Sequence, residues 1–137
     1  MLWLQRGNRR KSVPMKCDVY VKNCPSRMIL DRISNKWSML ILNRLREGTV
    51  RFNQLRREID GISQKVLSQT LKDLERDGLI RREAFPTVPV TVEYSISDLG
   101  KTLSDTVHIL THWAEKHYDA VISSQNTYDE RDKALAR

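Results

Sequence analysis

Gly61-Ile62-Ser63-Gln64-Lys65-Val66-Leu67-Ser68-Gln69-Thr70-Leu71-Lys72-Asp73-Leu74-Glu75-Arg76-Asp77-Gly78 is the stretch on which the fold turns. Ser63 is placed to cap a helix by accepting a bond from an amide that has no partner in the first turn. Ile62, just before the cap, can pack on Leu67 as a hydrophobic staple. Leu67, Leu71 and Leu74 recur at helical spacing and mark the inner face. Gly78 supplies the residue free to take positive φ that ends a helix. The stretch predicts a helix over 64–77. Its outer face carries Gln64, Lys65, Ser68, Gln69 and Lys72, while Asp73, Glu75 and Asp77 gather at the far end. The amino-terminal half is therefore polar and basic. Its positive dipole end is a natural seat for a phosphate, and its side chains are types that hydrogen-bond base edges and the DNA backbone.

Upstream, Asp60-Gly61 makes a tight turn after a short helix predicted over 52–59, with Phe52, Leu55 and Ile59 as its apolar residues. Arg51, Asn53 and Gln54 stand at its start, and Arg56 and Arg57 on its outward side. Earlier still, Gly48 stops a helix predicted over 36–46, whose stripe is Trp37, Leu40, Ile41 and Leu45. Ser34-Asn35 breaks it from a helix opened by Pro25, a residue suited to the first helical position.

Downstream, the apolar period changes from 3.6 to 2. Leu79–Ala84 reads as one strand, and Val90, Val92, Tyr94 and Ile96 alternate with polar residues in a second. The connection Phe85-Pro86-Thr87-Val88-Pro89 resembles a hairpin tip, with Thr87 exposed on it. Arg81 and Arg82 are neighbours in a strand, so at most one of them can face a duplex from the wing base; Arg81 is included among the candidates. Ser97 then caps a long helix predicted over 98–124, about 40 Å at 1.5 Å per residue. Leu99, Leu103, Val107, Leu110, Trp113, Ala114, His117 and Val121 line one side of it. A small domain cannot cover so long a stripe, and a second copy of the chain is the economical cover. Leu103, Val107, Leu110, Trp113 and Val121 are the candidate dimerisation residues; packing of the helix back onto its own domain is the alternative.

The fold class is thus mainly α with a small β-hairpin wing, a winged helix–turn–helix that dimerises through a long carboxy-terminal helix. Four spans follow: a basic, flexible arm over 1–23, the DNA-binding region over 24–97, the dimerisation helix over 98–124, and a fraying polar tail over 125–137.

Composition agrees. The chain has 137 residues and a formal charge of +7, enough for one domain with its own core. Residues 1–27 carry seven Lys/Arg against one Asp, and residues 98–137 carry five Lys/Arg against seven Asp/Glu. A basic front with an acidic tail suits a polyanionic partner met by one part of the molecule. No apolar run reaches the ~18 residues that span a bilayer. The amino terminus lacks the order of a secretory signal, and two cysteines suit a reducing cytosol, so the expected location is cytoplasmic, without membrane. No Gly-rich phosphate loop, nucleophile elbow or Cys-x-x-Cys occurs, so no enzyme activity is expected, and no cofactor. His108 and His112 stand four apart on the last helix but lack a third ligand, so no metal is expected.

Cys24 precedes Pro25 and so falls at a helix N-cap, where the dipole and free amides favour a thiolate and Arg27 adds charge. Cys17 lies seven residues earlier and could resolve an oxidised Cys24. The alternative is a small buried cap residue with no signalling role.

Several stretches resemble the HxlR-type regulators, a bacterial group related to MarR. They are Cys24-Pro25, Lys36-Trp37, Leu40-Ile41-Leu42, Arg51-Phe52-Asn53-Gln54-Leu55, Gly61-Ile62-Ser63-Gln64-Lys65, Leu74-Glu75-Arg76-Asp77-Gly78-Leu79-Ile80, Pro86-Thr87-Val88-Pro89, Val92-Glu93-Tyr94-Ser95, Leu99-Gly100 and Trp113. The resemblance spans about residues 24–115. Ser34-Asn35 departs from it, where many members have glycines. It implies a homodimeric winged-helix transcription factor that binds a two-fold symmetric operator on double-stranded DNA, with repression the expected output. It also implies that Cys24, with Cys17, could sense oxidants or electrophiles such as quinones or aldehydes. The residues expected at DNA are Arg51, Asn53, Gln54, Arg56, Ser63, Gln64, Lys65, Ser68, Gln69, Lys72, Arg81 and Thr87. The competing reading is a winged-helix protein–protein interaction module without specific DNA binding.

Overall fold

A computed structural model describes residues 18–136. The element order is α1 (Pro25–Ile33), α2 (Lys36–Leu45), β1 (Val50–Arg51), α3 (Phe52–Glu58), α4 (Gln64–Arg76), β2 (Ile80–Phe85), β3 (Thr91–Ile96) and α5 (Asp98–Ala136). The arm expected over 1–23 lies largely outside the described residues, Cys17 included.

Local signals start and stop these helices as their chemistry requires. Asn35 caps α2, its side chain accepting from the Ser38 amide at 2.9 Å. Ser63 caps α4 by accepting from the Val66 amide at 3.1 Å. Gly61 and Gly78 both take positive φ, +87° and +79°, at the turn before α4 and the end after it. Leu55, Leu67, Leu71 and Leu74 are fully buried with Ile41, Leu42 and Leu45 of α2, so α2, α3 and α4 share one core. Leu40, expected on the α2 stripe, is instead partly exposed, and Leu42 takes the inner place.

The sheet has three strands rather than the two of a simple hairpin. β1 is a two-residue strand whose Val50 pairs with Tyr94 and whose Arg51 pairs with Glu93, giving the order β1-β3-β2. In β2, Ile80 pairs with Ile96, Arg82 with Tyr94 and Ala84 with Val92. Directly opposed residues share a face, so Val50, Ile80, Tyr94 and Ile96 turn one face to the core. Arg51, Arg81, Glu83, Glu93 and Ser95 lie on the other.

Two features hold α5 to this unit. The Ser97 hydroxyl donates to the Gly78 carbonyl at 2.6 Å and accepts from the Gly100 amide at 3.0 Å, joining the end of α4 to the start of α5. The Ser97 amide also donates to the Leu79 carbonyl. Gly100 is buried in this junction, and a Cβ there would overlap the Leu79 carbonyl oxygen. Arg46 of α2 reaches Asp105 with two donors, at 3.0 and 3.2 Å. The helix does not stop near Ser124. It runs unbroken for 39 residues to Ala136, about 58 Å, so the stretch expected as a fraying polar tail is helical.

Candidate nucleic-acid interface

The sequence of α4 builds an exposed probe. Its inner residues Leu67, Thr70, Leu71 and Leu74 are buried, which turns Gln64, Lys65, Gln69 and Lys72 outward and leaves Ser68 half-buried. Val66, which the leucine periodicity does not mark, is also partly exposed on this face. Its carbonyl accepts the Thr70 hydroxyl at 2.7 Å, so the buried threonine is satisfied inside its own helix. Two expected readers are already engaged. The Ser63 hydroxyl is occupied as the cap, and Gln69 donates its amide to Asp73 at 3.0 Å. The Gln69 carbonyl oxygen and the second N–H of its amide stay available to a base edge.

The supporting helix is held from behind. Arg44 of α2 donates to Glu58 of α3 at 2.6 Å. That hydrogen bond, helped by the charge of the same guanidinium and opposed by some desolvation, holds the Glu58 carboxyl below its usual range. With Glu58 tied to α2, Arg51, Asn53 and Arg56 at the start and along α3 are exposed to solvent, and Gln54 is half-buried. Arg51 comes within 3.7 Å of Glu93 in β3, too far for a hydrogen bond. At the other end of α4, Asp77 meets Arg32 of α1 at 3.3 Å, which uses up one of its far-end carboxylates.

The wing tip is fully presented. Val88 has no cover, and Thr87 is folded in by donating its hydroxyl to the Pro89 carbonyl at 2.8 Å. Arg81 and Arg82 are both exposed; Arg81 shares a face with Arg51, and Arg82 with Tyr94. A cleft of about 670 Å³ separates the start of α3 from the wing, bounded by Arg51, Phe52 and Arg57 on one side and Val90 and Val92 on the other. Sequence periodicity gave no sign of it, because it forms only when β1 pairs with β3.

An exposed basic helix, a supporting helix pinned behind it and a projecting wing are the parts of a DNA reader. The HxlR-like helix-turn-helix family model matches residues 32–121. The chain belongs to the HxlR-like helix-turn-helix family. It is similar to the HTH-type transcriptional regulator YtfH of Escherichia coli K12, 44% identical over 106 residues, or 77% of this chain and 84% of that one. Among solved structures it is similar to the ytfH transcriptional regulator of Salmonella typhimurium, with 40% identity and a TM-score of 0.78 over 81% of this chain and 99% of that one. It is also similar to the redox regulator HypR in its oxidised form, with 38% identity and a TM-score of 0.63 over 68% of this chain and 96% of that one. As an HxlR-like regulator this protein is a DNA-binding transcriptional regulator, and the interaction-module reading falls away.

The other expected sites stand apart from α4. Cys24 is the N-cap of α1 but gives it no side-chain cap bond. Its Sγ lies 3.0 Å from the Ser26 hydroxyl, and it is disulfide-bonded, so this structure holds no thiolate there. Arg27 turns away to donate to the Tyr20 carbonyl. On α5, two of the five expected dimerisation residues face their own domain: Val107 is buried and Leu103 packs on the core. Leu110, Trp113 and Val121 are exposed, and Ile109, Tyr118 and Ile122 join them. Trp113 stacks on His117 with centroids 4.9 Å apart, and the His117 Nδ1–H donates to the Trp113 carbonyl. His108 meets Asn43 rather than His112, and the described residues hold no cluster fit for a metal. Among the described residues no helix is long and apolar enough to cross a membrane.

Proposed function

We propose that the regulator works as a homodimer on a two-fold symmetric operator, placing two copies of α4 in successive major grooves about 34 Å apart. Gln64, Lys65, Ser68 and Gln69 read bases, and Val66 offers an apolar contact for a thymine methyl. Arg51, Asn53, Arg56 and Lys72 hold phosphates, with Ser63 and Gln54 supporting the start of each helix and Arg81 and Thr87 serving the wing. The observation that carries this is the exposure of Gln64, Lys65, Gln69 and Lys72 on one helix end that bears no carboxylate before Asp73.

The partner for α5 is a second copy. Met28 and Ile29 of α1 are exposed although α1 buries none of its own residues. Two apolar grooves flank α5, one of about 340 Å³ beside Ile29, Ile33 and Leu99, the other of about 270 Å³ beside Leu40, Leu110 and Trp113. Leu110, Trp113 and Val121 fill such grooves from a two-fold related chain, while Leu103 and Val107 serve the subunit itself.

Cys24 is the proposed redox element, supported by its engagement in a disulfide and by the likeness to HypR. In the cycle, two thiols lose two electrons and two protons to an oxidant such as diamide, which is reduced to its hydrazine. Cys24→Ser is expected to keep operator binding under diamide, and a mutant that still releases DNA like wild type refutes this element.

Fluorescence anisotropy with the DNA upstream of the gene tests the main reading. Binding should fall by about 10³–10⁵ between ~50 and ~200 mM salt if a dimer makes roughly 6–10 phosphate contacts. Lys65→Ala should weaken it further, and binding that ignores both salt and Lys65 sinks the reading.

A further inference from the structure

We infer that Gln69 reads an adenine in each half of the operator, and that Asp73 is the positioning residue that fixes which way round the Gln69 amide points. Gln69 stands two residues from both Leu67 and Leu71, about 200° around the helix from each, and is exposed. One turn on, Asp73 is half-buried, and the Gln69 Nε2 donates to its Oδ1 at 3.0 Å. An ionised carboxylate only accepts, so the nitrogen of the amide, and not the oxygen, must face it. One N–H and the carbonyl oxygen are left side by side for a partner.

In the major groove adenine offers an acceptor, N7, beside a donor, the N6 amino group, which complements that pair. Guanine offers two acceptors, thymine an acceptor and a methyl group, and cytosine a donor alone. None of these takes both bonds. A glutamine free of Asp73 could give both N–H groups to the two acceptors of guanine. With one N–H held by Asp73 that option is closed, and the side chain is ordered before DNA arrives rather than on binding. Neighbouring hydroxyls are already committed, Ser63 to the Val66 amide and Thr70 to the Val66 carbonyl. Lys65 and Lys72, four residues before and three after, are exposed on the same side of α4. They carry donors only, so neither can accept from the adenine amino group.

Adenine reading by Gln69 rests on the placement of α4 in the major groove proposed above. Selection from a randomised duplex library with the full-length protein yields the preferred operator, and the same selection with Gln69→Ala shows at which position base preference is lost. Anisotropy then compares the selected duplex with duplexes carrying guanine or 7-deazaadenine at that position in one half-site. In 7-deazaadenine a C–H replaces N7 and the pairing edge is intact. Wild type should prefer adenine over guanine by about fivefold to 150-fold, and should lose about fivefold or more on 7-deazaadenine. Gln69→Ala should bind all three alike. Asp73→Asn, which can donate as well as accept, should lower the adenine-to-guanine ratio by about fivefold or more. Its total affinity should hold or rise, because a carboxylate facing a polyanion is gone. A merely structural role for Asp73 would weaken every duplex together. Asp73→Glu, still an acceptor only, should keep the ratio. Equal wild-type binding of adenine and 7-deazaadenine overturns the adenine reading, and an unchanged ratio in Asp73→Asn overturns the positioning role. A wild-type protein that selects a duplex without adenine at the Gln69 position overturns this inference alone, whereas one that selects no duplex overturns the operator reading as well.

Discussion

Replacing Gly100 with alanine tests how α5 is fastened to the DNA-reading unit. Two effects oppose each other. Within a helix, Gly→Ala is ordinarily worth about 1 kcal/mol of stabilisation. Here the new Cβ would overlap the Leu79 carbonyl oxygen and approach Ile96 Cγ1 to 2.8 Å. The Leu79 oxygen is backbone and cannot swing away, so α5 must move off the α4–β2 junction. Overpacking of this kind costs about 1–3 kcal/mol. The movement also strains the Ser97 cap on the Gly100 amide, worth about 1 kcal/mol, and the bond from the Ser97 amide to Leu79, worth about the same. The steric and hydrogen-bond terms together outweigh the propensity gain, leaving a net loss of about 2–4 kcal/mol. At roughly 3 °C per kcal/mol for a chain of this length, the melting temperature should fall by about 6–12 °C. Thermal melts by circular dichroism measure it, with exposed Lys101→Ala as a control expected within about 0.5 kcal/mol of wild type. A Gly100→Ala protein that melts at or above the wild-type temperature refutes the reasoning, because the junction would then tolerate the displacement.

Four further outcomes follow from the geometry. Ser63→Ala should destabilise by about 1 kcal/mol through loss of the α4 cap, read as a lower urea midpoint with an unchanged slope. Glu58 has a carboxyl held below its usual 4.5 by Arg44, so its contribution to stability is present above pH 4.5 and is lost as pH falls through the lowered value; Glu58→Gln should flatten the acid limb of stability against pH, and an acid limb identical to wild type counts against the Arg44 pair. Leu110→Asp, at an exposed position, should convert the proposed dimer to monomer in sedimentation without lowering helix content, whereas Val107→Ala should cost about 1–3 kcal/mol of subunit stability because Val107 is buried within its own chain.

The chemistry of single residues was legible without coordinates wherever it acts locally. Ser63, Asn35, Gly61 and Gly78 end or begin helices through hydrogen bonds and φ preferences that involve only near neighbours in sequence. The leucine spacing of α4 showed which side chains turn outward, because helical period alone sets that. The alternation of β3 showed which residues face the core. Tertiary structure decided everything that depends on a distant neighbour. β1 is two residues long, too short for a period to show, and exists because Val50 finds Tyr94. The cleft beside Arg51 and Arg57 is made by that pairing. Apolar side chains on α5 look alike in sequence, yet α2 and the core take Leu103 and Val107 and leave Leu110, Trp113 and Val121 uncovered. The polar residues after Ser124 carry no apolar stripe to mark them as helix, but nothing there breaks one, since no Gly or Pro occurs from Val121 to Ala136. Capping and periodicity are properties of a short segment, while burial is a property of what another segment brings to it.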